Sequence, residues 1–398
     1  MRIRSILIAA STTLAACSPG IIHDPGTDSA TPQDAVARDV PTTDVALIDA
    51  ARIDAPMGSD VPLSTDTPHV DAGRDTFVGS PDTGVACTTG CPANAHCVGT
   101  SCECDPYFVS MSGACMGIVP GDPTTHASSD VCAQWAEGHR TTAAQAYVPG
   151  ATMCDPGSMS RDAINDALRR LNMYRWLVGL TPVTDDATQD MTDQACSLME
   201  HVKGWPGAGN PDPHHPDSSW PCYTANGTMG ANSSNISWGT SSAADAMDNW
   251  MGDSGNDTTL GHRRWILHPP LGPVGIGFVG DASCLGVFGS GGGGTAGPWY
   301  AYPPPGPVPT SITTNAWSFH TSHLNIGSAA VSIMRMSDGM NMPVRMLTLS
   351  QGYGDDTVGW YPSGWVAMAG ESYQVQVSGL SGGTSATVSY VVQVISCP

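Results

Sequence analysis

Three stretches of this chain carry residue types that could do chemistry. Gly252-Asp253-Ser254-Gly255 copies part of the loop that presents a serine-protease nucleophile. A triad also needs a general base and an acid to orient it, and no Ala-Ala-His-Cys-type segment lies upstream. The glycine run Gly291–Gly294 is not followed by Lys and Ser or Thr, so a phosphate-cradling loop is not indicated. No His-Glu-x-x-His pair occurs. The third stretch is Gly261-His262-Arg263-Arg264-Trp265-Ile266-Leu267. It follows an amphipathic segment carrying Trp250 and Asp253 and precedes a glycine-rich strand, Val274-Gly275-Ile276-Gly277-Phe278. An imidazole in such a place can move a proton or, when neutral, bind a metal.

Upstream lies Leu171-Asn172-Met173-Tyr174-Arg175-Trp176-Leu177-Val178-Gly179-Leu180-Thr181-Pro182-Val183. Together the two motifs resemble the CAP superfamily (cysteine-rich secretory proteins, antigen 5, pathogenesis-related 1) in its bacterial SCP-like branch. That branch reads N-x-x-R-x-x-x-G-L-x-P-L near its start and G-H-R-x-x-I-L near its end, and the agreement covers about residues 158–290. The resemblance implies an α+β fold, a CAP-type α-β-α sandwich, with helices packed on a central antiparallel sheet. It also implies a cleft lined by two histidines and two acids. His262 matches the histidine of the G-H motif, and Asp253 matches the acid after the tryptophan of the third helix. The other histidine falls on His215, with His214 as the alternative.

The remaining acid belongs in a G-E-N-[IL] motif. Its match here is Ser233-Ser234-Asn235-Ile236, so serine replaces glutamate. None of the chain's four glutamates (Glu103, Glu137, Glu200, Glu371) fits that slot. The resemblance therefore leaves His215 and His262 as candidate ligands for zinc, one carboxylate in Asp253, and a hydroxyl in Ser234. A mononuclear zinc hydrolase uses three protein ligands and a separate base. Arg263 and Arg264 are expected to clamp backbone carbonyls or carboxylates rather than a substrate.

These groups need elements to hold them. Ser160 can cap a helix whose apolar positions Ile164, Ala167, Leu168, Leu171 and Tyr174 recur at helical spacing, and Pro182 ends the segment. A second helix is predicted from about Asp186, with Ala187, Met191, Ala195, Leu198, Met199 and Val202 on one face. A third carries Ala243, Ala244, Met247, Trp250 and Met251, and short strands follow around 274–279 and 284–288. The CAP-like domain is thus set at 158–295, behind a disulfide-containing connector at 118–157. Beyond the glycine run the period falls to two, over 330–334, 373–377 and 388–394. That pattern predicts a small β-sandwich over 310–398, with Pro303-Pro304-Pro305 as a stiff connector before it.

Cysteine usage bounds the compartment. Of thirteen cysteines, setting Cys17 aside leaves twelve, an even number that fits an oxidising environment. Six of them lie within 86–117 in the pattern C-x3-C-x5-C-x4-C-x-C-x10-C. This resembles an EGF-like module, a spacer or protein-contact unit, and implies the pairs Cys87–Cys97, Cys91–Cys102 and Cys104–Cys115. A zinc site is the competing interpretation of such a stretch. The pairing of Cys132, Cys154, Cys196, Cys222, Cys284 and Cys397 does not follow from spacing. Cys397 is expected to tie the last strand to a partner such as Cys284 or an earlier cysteine.

The N-terminus has the form of a targeting segment over residues 1–17. Arg2 and Arg4 precede a short apolar core, and Leu14-Ala15-Ala16-Cys17 resembles a bacterial lipobox in which Cys17 takes the lipid. Residues 18–85 are rich in Asp, Ala, Thr, Pro and Val, and such a composition cannot offset chain entropy by burial. A disordered, solvated linker is expected there. The formal net charge of −21 and the single lysine, Lys203, exclude a nucleic-acid partner. No later stretch is long and apolar enough to cross a bilayer. The expectation is an extracytoplasmic lipoprotein held to the membrane through Cys17, at the outer membrane or cell surface. Its CAP-like domain would bind a lipid, glycan or protein ligand, with zinc as the candidate cofactor. The alternative is a metal-assisted hydrolase of cell-envelope polymers, which Ser234 weakens.

Overall fold

The computed structural model describes residues 87, 91–98, 100–143, 145–204, 212–289, 291–292, 294 and 297–398. The targeting segment, Cys17 and the acidic linker of the sequence analysis lie outside these residues. No helix among the described residues is long and apolar enough to cross a membrane.

The first described segment holds two hairpins, β1 (Ala95–Val98) with β2 (Ser101–Cys104) and β3 (Phe108–Met111) with β4 (Ala114–Gly117). Its disulfides are Cys87–Cys97, Cys91–Cys102 and Cys104–Cys115. This segment does not hang free. Tyr107 is buried and donates its hydroxyl to the Gln134 carbonyl at 3.3 Å. A Cβ added to Gly117 would stand 3.0 Å from Pro182 Cγ, so bare backbone lies against the domain that follows.

Gln134 belongs to α1 (Ser128–Gly138), a helix inside the stretch predicted to be a connector. It explains the burial of α2 (Arg161–Leu177). Ser160 caps α2 by accepting from the Ala163 N–H at 3.1 Å. The apolar face of α2 is buried as its spacing predicts, but so are Asn165, Asp166, Arg169 and Arg170. Three of these find partners at the end of α1 and the turn after it: Arg170 Nε donates to Gly138 O at 2.8 Å, Arg169 Nη1 donates to Arg140 O at 3.0 Å, and Asp166 accepts from the Thr142 and Ala143 N–H groups. The two motif residues of α2 act on the chain that follows. Asn172 exchanges two 2.8 Å bonds with the Val183 backbone, and buried Arg175 reaches Thr181, Ile266, His268 and Pro269 carbonyls.

A short β5 (Tyr147–Val148) pairs with β6 (Ser158–Met159) ahead of α2. After α3 (Ala187–Lys203), capped by Asp186, come α4 (Ala225–Ser233), β7 (Ser234–Ser237), α5 (Ala243–Gly252), α6 (Gly261–Ile266), β8 (Ile276–Val279) and β9 (Ala282–Gly286). The strands form one antiparallel sheet in the order β7-β9-β8. Alternate residues serve two sides of it. Ile236 and Cys284 join Cys196, Met199, Trp220 and Ala231 in a small core on the α3–α4 side, whereas Phe278 and Leu285 enter the main core with α2 and α5. The glycines of the 274–278 strand are what let α3 approach. A Cβ on Gly275 would lie 1.9 Å from Asp193 Oδ2, and one on Gly277 only 2.1 Å from Asp193 O.

The strand-rich region begins at Tyr300, ahead of the predicted limit at 310. A four-stranded sheet runs β10 (Tyr300–Tyr302), β12 (Trp317–Thr321), β16 (Asp356–Pro362), β15 (Val344–Met346). A five-stranded sheet runs β11 (Gly306–Pro309), β18 (Thr387–Ile395), β17 (Ser372–Ser378), β13 (Ala330–Arg335), β14 (Asn341–Met342). Pro303-Pro304-Pro305 is buried and carries the chain from one sheet to the other, which is why it is not a linker. Trp317 meets Tyr373 edge-on across the two sheets at 6.4 Å. Cys397, just past β18, is bonded to Cys132 of α1, while Cys284 is bonded to Cys196 and Cys154 to Cys222.

Arg263 and Arg264 join these sheets to the helices. Arg263 donates to Met251 O and Gly252 O on one side and to Ala316 O and Ser318 Oγ on the other. Its guanidinium also lies over the Tyr302 ring at 4.5 Å. Arg264 donates to Ser350 O, Gln351 Oε1 and Asp355 O. Both side chains are fully buried.

Candidate functional site

Helix α5 stops because Asp253 adopts a left-handed backbone (φ 50°, ψ 35°), which Asp, Asn and Gly tolerate best. Its N–H still reaches back to Asn249 O at 2.8 Å. The chain then turns and enters α6 through a second left-handed residue, Leu260 (φ 49°). This double reversal lays the start of α6 beside the Asp253 side chain, which is 1 % exposed.

Asp253 Oδ1 accepts from His262 Nδ1 at 2.8 Å and from Asn256 Nδ2 at 3.1 Å, while Oδ2 accepts from the Arg263 N–H at 3.3 Å. The carboxylate is therefore committed on both oxygens. It fixes the His262 ring with the proton on Nδ1, leaving the Nε2 lone pair free on a side chain that is 30 % exposed.

His214 and His215, the two candidates for the other histidine, are placed differently. His215 is 77 % exposed and pairs with Asp212 at 2.9 Å, so it faces solvent from the loop after α3. His214 turns inward, and its Nδ1 lies 2.9 Å from the Ala231 carbonyl at the end of α4. A carbonyl can only accept, so that nitrogen carries the proton and Nε2 again keeps its lone pair. Burial lowers the pKa of His214 below the ordinary histidine value, and His262 lies close enough to push it further down. His214 is accordingly neutral near pH 7, the form a metal requires.

Ser234 does not line this site. Its hydroxyl is buried on the α3 face of the sheet and donates to Asp193. The neighbouring Asn235 points the opposite way and donates to His262 O at 3.0 Å. The position thus supports the second face of the domain rather than the histidines. Asp193, a residue the motifs do not mark, is 2 % exposed. Burial pushes its pKa up to about 7, against the lowering effect of the Ser234 hydroxyl and the Gly286 N–H. Further along α3, Glu200 is fully buried, with no partner on either oxygen. Burial, with the nearby Asp212 charge, pushes it up to about 8 despite Lys203.

Among the described residues, Cys87, Cys91 and Cys102 alone bring three or more metal-binding atoms close together, and their sulfurs are already in disulfides. No such group among the described residues includes His214 or His262. A hollow of about 310 Å³ lies elsewhere, bordered by Ala163, Asp166, Ser242 and Asp245. Its carboxylates are taken up by Thr142, Ala143 and Arg169, and by Ser241.

Residues 168–289 match the family model described as "CAP: Cysteine-rich secretory protein family". This stretch of the chain is a CAP-type domain. The matched stretch runs from α2 to just past β9 and contains His214, Ser234, Asp253 and His262. No curated protein matches the chain, and no solved structure does. The CAP domain and six disulfides indicate an extracellular setting.

Proposed function

We propose that this CAP-domain protein is an extracytoplasmic binding protein whose His214–His262 pair takes a divalent transition metal of the zinc type. The observation that carries the proposal is the commitment of both Nδ1 atoms, His214 to Ala231 O and His262 to Asp253. Two imidazoles so fixed present two lone pairs and no donor, which suits a borderline-soft cation and repels a second hydrogen-bond acceptor. When bound, such an ion would leave coordination positions for a ligand carrying oxygen or nitrogen donors. In this reading Cys17 carries the lipid anchor, residues 86–117 form an EGF-like module, and residues 300–398 form a β-sandwich that braces the CAP domain.

Hydrolysis is less well supported. Asp253 has both oxygens engaged, Ser234 faces α3, and no third ligand stands with the histidines among the described residues. A metal-assisted hydrolase lacks its base and one ligand on this count. Zinc-edge X-ray absorption of the loaded protein is the test. Two imidazole nitrogens in the first coordination sphere are expected; a sphere without imidazole removes the proposal.

A further inference from the structure

Three contacts among the described residues attach the loop that carries His214 to the rest of the domain. His214 Nδ1 holds Ala231 O, Trp220 is buried in the small α3–α4 core, and Cys222 is bonded to Cys154. Cys154 sits in a turn of its own, pinned where Gln194 Nε2 donates to Pro156 O at 2.8 Å. The disulfide thus straps the loop to a fixed neighbour.

This bond differs from the other two outside residues 86–117. Cys196 and Cys284 are fully buried, and Cys132 and Cys397 are half-buried. Cys154 is exposed. Cys222 also has a left-handed backbone, φ 56°, and it is the one cysteine with positive φ among the described residues. A residue with a Cβ adopts that region at a cost. Exposure, which Cys154 has and the four other cysteines lack, is a property of a labile disulfide.

We propose that Cys154–Cys222 is a reducible strap that controls how firmly His214 is held, an inference resting on the metal-binding role given to His214 above. The reductant is an extracytoplasmic dithiol. Its thiolate attacks Cys154 Sγ, the S–S bond breaks, and Cys222 leaves as a thiolate that takes up a proton. The second thiol then displaces Cys154 from the mixed disulfide. The protein disulfide gains two electrons and becomes two thiols, and the dithiol is oxidised to a cyclic disulfide. The loop then keeps Trp220 and the Ala231 contact.

The test uses the full-length protein with graded dithiothreitol, alkylation and mass mapping, together with hydrogen exchange over residues 212–224. Cys154 and Cys222 are expected to be alkylated before Cys132, Cys196, Cys284 and Cys397, with faster loop exchange from the same reductant concentration. Zinc titration, done without thiols on the Cys154→Ser/Cys222→Ser variant, is expected to show about tenfold weaker binding than wild type, the usual scale for losing support behind a ligand. Earlier opening of another of these three bonds overturns the proposal. So does unchanged loop exchange once Cys154–Cys222 is open. An oxidised wild type that takes no zinc overturns the metal assignment instead, and the labelling order and loop exchange still decide the strap.

Discussion

Asp253 Oδ1 lies 2.8 Å from His262 Nδ1, and the same carboxylate receives the Arg263 N–H. One side chain therefore sets both the tautomer of His262 and the entry of the helix that carries it. Asp253→Asn keeps a residue that tolerates the left-handed backbone but removes the charge. Zinc affinity should fall about 10- to 100-fold while the fold is retained, measured by titration calorimetry beside circular dichroism.

Arg263, whose N–H meets the same carboxylate, is bonded to the helices and to the strand-rich region. Arg263 links α5 carbonyls to Ala316 and Ser318 at the start of β12. Arg263→Ala leaves several buried acceptors without a donor, at about 1–3 kcal/mol each. The expected result is a melting temperature lowered by at least about 5 °C. Because residues 300–398 share their core with α2 and α5, scanning calorimetry should show one transition spanning both parts in wild type and separation of the two in the variant.

Glycine at 277 is required by a close approach rather than by backbone freedom. A Cβ there would stand 2.1 Å from Asp193 O, which is α3 backbone and cannot rotate away. Gly277→Ala should destabilise by about 3 kcal/mol or more, as overpacking against rigid backbone does. Urea unfolding checks it. Gly339, whose added Cβ meets nothing within 4 Å but whose φ is +69°, serves as a contrast in which the cost is conformational only and smaller.

Glu200 gives stability a pH dependence of defined sign. Its folded pKa of about 8 lies above its ordinary 4.5, so the native state holds the proton that the unfolded chain gives up. The contribution is fully present below about pH 4.5 and is lost as pH rises to about 8. Glu200→Gln cannot ionise. Relative to wild type it should gain stability steadily between these limits, read from urea unfolding at several pH values. A difference that is flat with pH would show that Glu200 ionises freely in the folded protein.

The sequence marked the helices and the site unevenly, for physical reasons. Ser160, Asp186, the apolar positions of α2 and the Asp253–His262 spacing were legible because they are local. Helix α4 was not: its sequence Ala225-Asn-Gly-Thr-Met-Gly-Ala-Asn-Ser233 has poor helix propensity, and it owes its place to Gly227 and Gly230 packing on α3. The buried polar face of α2 needed α1, hidden in an apparent connector. His214 and His215 are neighbours in a loop, where no period says which turns inward. Ser234 could have been placed from strand alternation, since it shares a face with apolar Ile236 while Asn235 takes the other.

The most direct measurement is zinc titration calorimetry on wild type, His214→Ala, His262→Ala and His215→Ala, each confirmed folded. One zinc per chain should bind to wild type and to His215→Ala with matching affinity, and binding should be lost in the other two. Loss in His215→Ala with retention in His214→Ala would contradict the inward placement of His214, and retention in His262→Ala would show that the two histidines do not share a site.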